Sequence, residues 1–141
     1  VALFAVSAMA TKVTFDFTNP SSLGITPAAE ASTGVDLYNQ EFTVGDVTIG
    51  FDTVALGGDK ANVNKQKLWT NTGDVPTYEL RLYKNNLINL TATKEGDKIE
   101  CIEFSGTIGS NIENVNDRMW LGEAASTVQL KLPSTATTTK G

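Results

Sequence analysis

Histidine is absent from this 141-residue chain, and cysteine occurs only once. Without an imidazole there is no His-dependent catalytic triad, most zinc sites lose a ligand, and the commonest general base is missing. The single thiol, Cys101, cannot form an internal disulfide, so stability has to come from packing. It falls in an apolar-rich stretch and is expected to be buried and inert. Cations are scarce as well, with 11 Lys and Arg against 16 Asp and Glu and a net charge of -5. Phosphate binding draws on clustered Lys and Arg, so nucleic acid and anionic membranes are excluded as main partners. No phosphate-binding loop, dinucleotide fingerprint, paired cysteines or nucleophile elbow is present.

Long apolar runs are also lacking. The only one, Val1 to Ala10, reads VALFAVSAMA and falls short of the roughly 20 residues that span a bilayer. Its Ala8-Met9-Ala10 ending is the small-x-small pattern of a signal peptidase site. Residues 1–10 are therefore expected to be the remnant of a secretory signal peptide, with the mature chain starting at Thr11. Thr11 rather than a cysteine stands directly after that point, which argues against a lipoprotein anchor and leaves a secreted or cell-surface protein with no membrane insertion after signal removal. Residues 134–141 (STATTTKG) read as a Thr-rich tail or a linker to a missing segment. Between these ends, residues 11–133 have the length of one domain.

What the chain has in abundance is two-residue alternation. Val13, Phe15 and Phe17 share one face of Lys12–Thr18, and Val47, Ile49 and Phe51 alternate with Thr48, Gly50 and Asp52. Tyr78, Leu80 and Leu82 alternate with Glu79, Arg81 and Tyr83; Ile88, Leu90 and Ala92 follow the turn at Lys84-Asn85-Asn86. Val128, Leu130 and Leu132 form a last strand, and Gln66–Thr70 a shorter one within a long polar stretch. In Ile99–Phe104 the apolar set changes phase, which predicts a bulge or burial on both faces. Helix has one foothold, where Thr26 could cap Pro27–Ala31 before Gly34. The 19 threonines and 11 asparagines favour strands and turns over helix interiors. The pattern predicts an all-β, antiparallel, jelly-roll-like sandwich with at most one short helical turn near 27–32.

These segments resemble a small β-sandwich domain that recurs in secreted and surface proteins of Bacteroidetes, most of them uncharacterised. The resembling elements are Val-Thr-Phe-Asp-Phe (Val13 to Phe17), Leu-Trp-Thr-Asn (Leu68 to Asn71) and Leu-Arg-Leu-Tyr-Lys-Asn-Asn (Leu80 to Asn86). Leu-Thr-Ala (Leu90 to Ala92), Lys-Ile-x-x-Ile-x-Phe (Lys98 to Phe104), Trp-x-Gly (Trp120 to Gly122) and Val-x-Leu (Val128 to Leu130) follow. Members close with one more alternating Ile/Val strand, which the Thr-rich tail lacks. The resemblance implies export and a sandwich fold, and it carries over no catalytic residue.

Three constellations are weighed for chemistry. Sugar-binding sandwiches stack sugar rings on exposed aromatics, and Trp69, Tyr83 and Tyr38 are candidates, with Trp120 read as core. Tyr83 falls on the polar face of its strand beside Glu79 and Arg81, so the expected ligand-binding set is Trp69, Arg81 and Tyr83. The alternative is that these side chains form cross-strand pairs that stabilise the sheet. Paired carboxylates such as Glu100 with Glu103, or Glu79 with Asp74, are read as a solvated acidic surface, so no catalytic residue is assigned. No cofactor and no metal ligand is expected. A structural calcium is the alternative, through Asp46, Asp52 and Asp59 or through Asn114, Asn116 and Asp117. The expected function is a non-catalytic module binding glycan at an aromatic face. The alternative is a structural or adhesive domain of a surface protein with no small-molecule site, completed by a partner through strand addition.

Overall fold

The computed structural model describes residues 10–56, 58–106, 112–134 and 139–140. Val1–Met9 of the expected signal remnant and most of the 134–141 tail lie outside the described residues.

Among the described residues, ten strands follow one 3-10 turn at Pro20–Leu23. They are β1 (Thr33–Asp36), β2 (Glu41–Val44), β3 (Val47–Thr53), β4 (Lys67–Thr70), β5 (Tyr78–Leu82), β6 (Asn86–Ala92), β7 (Val115–Asn116), β8 (Met119–Trp120), β9 (Thr127–Lys131) and β10 (Thr139–Lys140). Two four-stranded antiparallel sheets form, sheet I in the order β1-β4-β5-β10 and sheet II in the order β2-β3-β6-β9. The β7-β8 hairpin stands apart as a two-stranded unit. The protein is an all-β sandwich, as the alternation predicts.

The core lies where the inner rows of the two sheets meet. In sheet II, Phe42, Ile49, Leu90 and Val128 form one cross-strand row, and Phe51, Ile88 and Leu130 the next. Leu68, Leu80 and Leu82 come from sheet I, and Leu68 and Leu82 are fully buried. Phe51 meets Phe17 and Phe42 edge to face, at ring-centroid distances of 5.9 and 6.3 Å. Burying a side chain of the Leu or Phe class contributes about 1.5–3 kcal/mol, so this cluster is the main source of stability in a chain without disulfides.

One end of the core is polar. Gln66 and Asn86 are fully buried in the gap where β3 leaves the sheet. Gln66 Nε2 donates to the carbonyls of Asp52 and Leu87. Asn86 Nδ2 donates to the Asn64 carbonyl at 2.7 Å, and its Oδ1 accepts from the Tyr83 N–H at 2.8 Å. Buried side chains thus serve backbone groups at the end of β3, at the start of β6, in the turn before β6 and at Asn64.

Four local expectations are corrected. Lys12–Phe17 keeps its alternation, with Phe15 and Phe17 on the core, but it makes no ladder hydrogen bonds among the described residues. The helical turn forms at Pro20–Leu23 rather than Pro27–Ala31: Pro20 pre-sets its first turn, and Gly24 ends it with φ 70°. Ile99–Phe104 packs Ile99, Ile102 and Phe104 on the core, but among the described residues its backbone pairs only through the bridges Ile99 to Ala125 and Glu103 to Met119. The phase change is absorbed by two consecutive outward residues, Glu100 and Cys101. Cys101 is therefore exposed, and the expectation of a buried thiol does not hold.

Candidate functional site

Period-two geometry sends Leu68, Leu80 and Leu82 inward and leaves their neighbours on the outer face of sheet I. Register then sets which of those neighbours meet. Trp69 sits between Gly34 on β1 and Glu79 on β5, and Lys67 between Asp36 and Arg81. The Arg81 guanidinium lies diagonally over the indole, with Cζ 3.8 Å from the ring centroid. Its Nε donates to Glu79 Oε1 at 2.7 Å. Lys67 forms an ion pair with Asp36 in the adjacent row.

The stack is half-buried although it faces away from the core: the Arg81 and Glu79 side chains keep only 16% and 19% of their exposure. A cation held over an indole contributes about 0.5–2 kcal/mol, and a carboxylate on its Nε fixes the guanidinium plane. Gly34 permits this closeness, because a Cβ there would stand 3.0 Å from both Trp69 Cε3 and the Leu68 carbonyl oxygen. The sequence pattern places Gly34 as the stop of a short helix. Nothing local to Thr33–Asp36 signals that an indole from β4 lies against it.

Of the three predicted ligand-binding residues, the structure brings Trp69 and Arg81 together. Tyr83 lies one residue beyond β5, half-buried, in the turn closed by the Asn86 N–H to Tyr83 carbonyl bond of 3.1 Å. Among the described residues it makes no ring or charge contact with the other two. Both Trp69 and Tyr83 are outside the hydrophobic cluster, whereas Trp120 packs against it. Tyr38 carries the Lys65 ammonium 4.6 Å from its ring centroid. One face of Trp69 is thus covered by the protein's own cation.

The acidic candidates are dispersed. Glu79 is bonded to Arg81, Asp46 to Lys94 and Asp52 to Lys60, while Asp59 accepts from the Ala61 N–H. Among the described residues no three His, Cys, Asp or Glu side chains gather as a metal-binding group. Burial works against the Asp52 carboxylate, but the Lys60 hydrogen bonds and charge and the Thr53 N–H outweigh it and hold its pKa below the ordinary value. The same contact raises the Lys60 pKa.

A second surface feature lies on the outer face of sheet II. A shallow, polar depression of about 360 Å³ opens above Gly50, between Glu41 and Asn89. Sequence reading treats Gly50 only as one polar-face position of β3. No protein family, curated protein or solved structure matches the chain. The class defined by fold and surface is an all-β sandwich whose polar features are spread over two outward sheet faces.

Proposed function

We propose that this protein is an exported, non-catalytic binding module that recognises glycan on the outer face of sheet I, with Trp69, Arg81 and Tyr83 contacting the ligand. The observation that carries this reading is the indole, guanidinium and carboxylate stack of Trp69, Arg81 and Glu79 outside the core. Sugars offer apolar C–H faces and hydroxyls that donate and accept. An aromatic body with fixed donors at its rim complements both. The terminal nitrogens of Arg81 are the donors, since its Nε is engaged by Glu79. Export rests on Val1–Ala10, with Thr11 as the expected mature terminus.

The test is binding to an array of plant, mucin and bacterial glycans, with a Trp69→Ala, Tyr83→Ala double variant alongside. Saturable binding that disappears in a variant still unfolding cooperatively is the expected result. Absence of binding across the array overturns the reading.

One observation favours a second reading, a structural or adhesive domain that accepts a strand from a surface protein. β10 pairs only with Arg81 and Leu82, so the outer edge of β5 from Tyr78 to Leu80 has no ladder partner among the described residues. Sheet edges of this kind are where extended segments add. A protein partner that slows hydrogen exchange in β5 supports it. A partner that binds and leaves β5 exchange unchanged sinks it.

A further inference from the structure

Three rows of side chains cross sheet II on its outer face, two of them over all four strands and the third over three. Thr43, Thr48, Thr91 and Thr127 form the first, and Glu41, Gly50, Asn89 and Gln129 the second. Asp52, Leu87 and Lys131 form the third. All of these except Gly50 and Leu87 carry a hydrogen-bonding or charged group. The missing side chain at Gly50 is what opens the depression of about 360 Å³, whose lining includes Asn39, Gln40, Glu41, Gly50, Asp52 and Asn89. A Cβ at Gly50 would stand 3.3 Å from Glu41 Cγ, so any side chain placed there fills the dent from below.

The lining has distinct hydrogen-bonding vacancies. Asn89 Oδ1 accepts from Gln129 Nε2 at 2.8 Å, which leaves the Asn89 Nδ2 hydrogens uncommitted. Gln40 Nε2 donates to the Asp36 carbonyl, which leaves its own Oε1 as an acceptor. The Glu41 carboxylate has no hydrogen-bond or ion-pair partner among the described residues. Asp52 is neutralised by Lys60, whose Nζ donates to both carboxylate oxygens at 2.8 and 3.0 Å. A site with carboxamide donors, carboxamide and carboxylate acceptors and one uncompensated negative charge repels phosphate or sulfate. Two carboxylates, one of them already paired, are too few for a hard divalent cation. Hydroxyls, which both donate and accept, match the set. The volume is at the small end of the range of about 300–1,000 Å³ for small-ligand sites, which suits a single ring rather than a long chain.

We infer that the depression above Gly50 is a second carbohydrate subsite, which takes one neutral hexose residue through hydrogen bonds from Asn89, Gln40 and Glu41 without ring stacking. The inference rests on the glycan reading of the protein, but it does not depend on Trp69 or Arg81. The outer faces of two packed sheets point in opposite directions, so the two sites address separate ligand molecules and the protein can bridge glycan chains.

The test is a ¹H–¹⁵N titration of the full chain with cellohexaose, mannohexaose, xylohexaose and galactohexaose in turn, each to about 10 mM, where millimolar sites are visible. The wild type is compared with Gly50→Val, Asn89→Ala and Trp69→Ala, and dispersed spectra report that each variant is folded. The expected result is a saturable set of shifts at Gly50, at the Asn89 side-chain amide and at Gln129 with at least one hexaose. Those shifts vanish in Gly50→Val, weaken by about tenfold in Asn89→Ala, and persist in Trp69→Ala. If shifts appear only around Trp69 and Arg81, the second subsite is overturned and the first reading stands. If no hexaose shifts either face, the second subsite is overturned, and the array result decides the first reading separately. Shifts at Gly50 that survive unchanged in both Gly50→Val and Asn89→Ala also overturn it.

Discussion

Gly122 and Trp120 show how strongly a single side chain can constrain its neighbour. The indole of Trp120 folds back over Gly122, so that a Cβ added there would overlap the ring. Because Trp120 also packs against the core cluster, the ring cannot simply swing away. Gly122→Ala is therefore expected to cost about 1–3 kcal/mol, the usual range for overpacking, read as a lower urea midpoint with unchanged slope. Cys101 is the opposite case. It is exposed, so it should react with a thiol reagent in the folded protein, and Cys101→Ser should change stability by no more than about 0.5 kcal/mol. Reaction only after unfolding would show that the thiol is covered.

Among the elements, Lys12–Phe17 and β3 both alternate, yet only β3 is in a ladder. β3 pairs along its whole length with β6 and along four residues with β2. Lys12–Phe17 buries Phe17 and half-buries Val13 and Phe15 with no backbone partner for their N–H groups among the described residues. Amide exchange should consequently be fast over Lys12–Phe17 and slow over Ile49–Phe51, although both stretches bury aromatic side chains. Equal protection would place the first stretch in a sheet. Legibility differs between elements for a matching reason. β3, β5, β6 and β9 each carry two or more inward apolar residues two apart, which is a local signal. β1 has only Val35 facing the core, and β7 and β8 are two residues long, so their pairing depends on partners distant in sequence.

For the whole molecule, the acid limb of stability follows from carboxylates tied to loops. Asp16 has its pKa lowered chiefly by the Thr18 hydroxyl, 2.6 Å away, and Asp52 is lowered by Lys60 and the Thr53 N–H against the cost of burial. A carboxyl whose folded pKa lies below its unfolded value of 3.8 stabilises fully above that value and loses the contribution as pH falls through the folded pKa. Stability should hold from neutral pH down to about 4 and decline below it. In Asp52→Asn the decline should be shallower, measured as the urea midpoint against pH. These groups are partly solvated, so each effect is small.

By itself the amino-acid order determined the sandwich class, most of the central strands and the absence of imidazole chemistry, because side-chain alternation and composition are local properties of the chain. It also pointed to Trp69, Arg81 and Tyr83 as outward residues. The tertiary structure decided that Arg81 caps Trp69 over Gly34, that Tyr83 lies apart in a turn, that Cys101 faces water, and that Gly50 opens a dent between Glu41 and Asn89. Each of these depends on register between strands far apart in sequence. A shift of one residue would turn every side chain to the other face, and no local pattern specifies which residue of the neighbouring strand lies opposite.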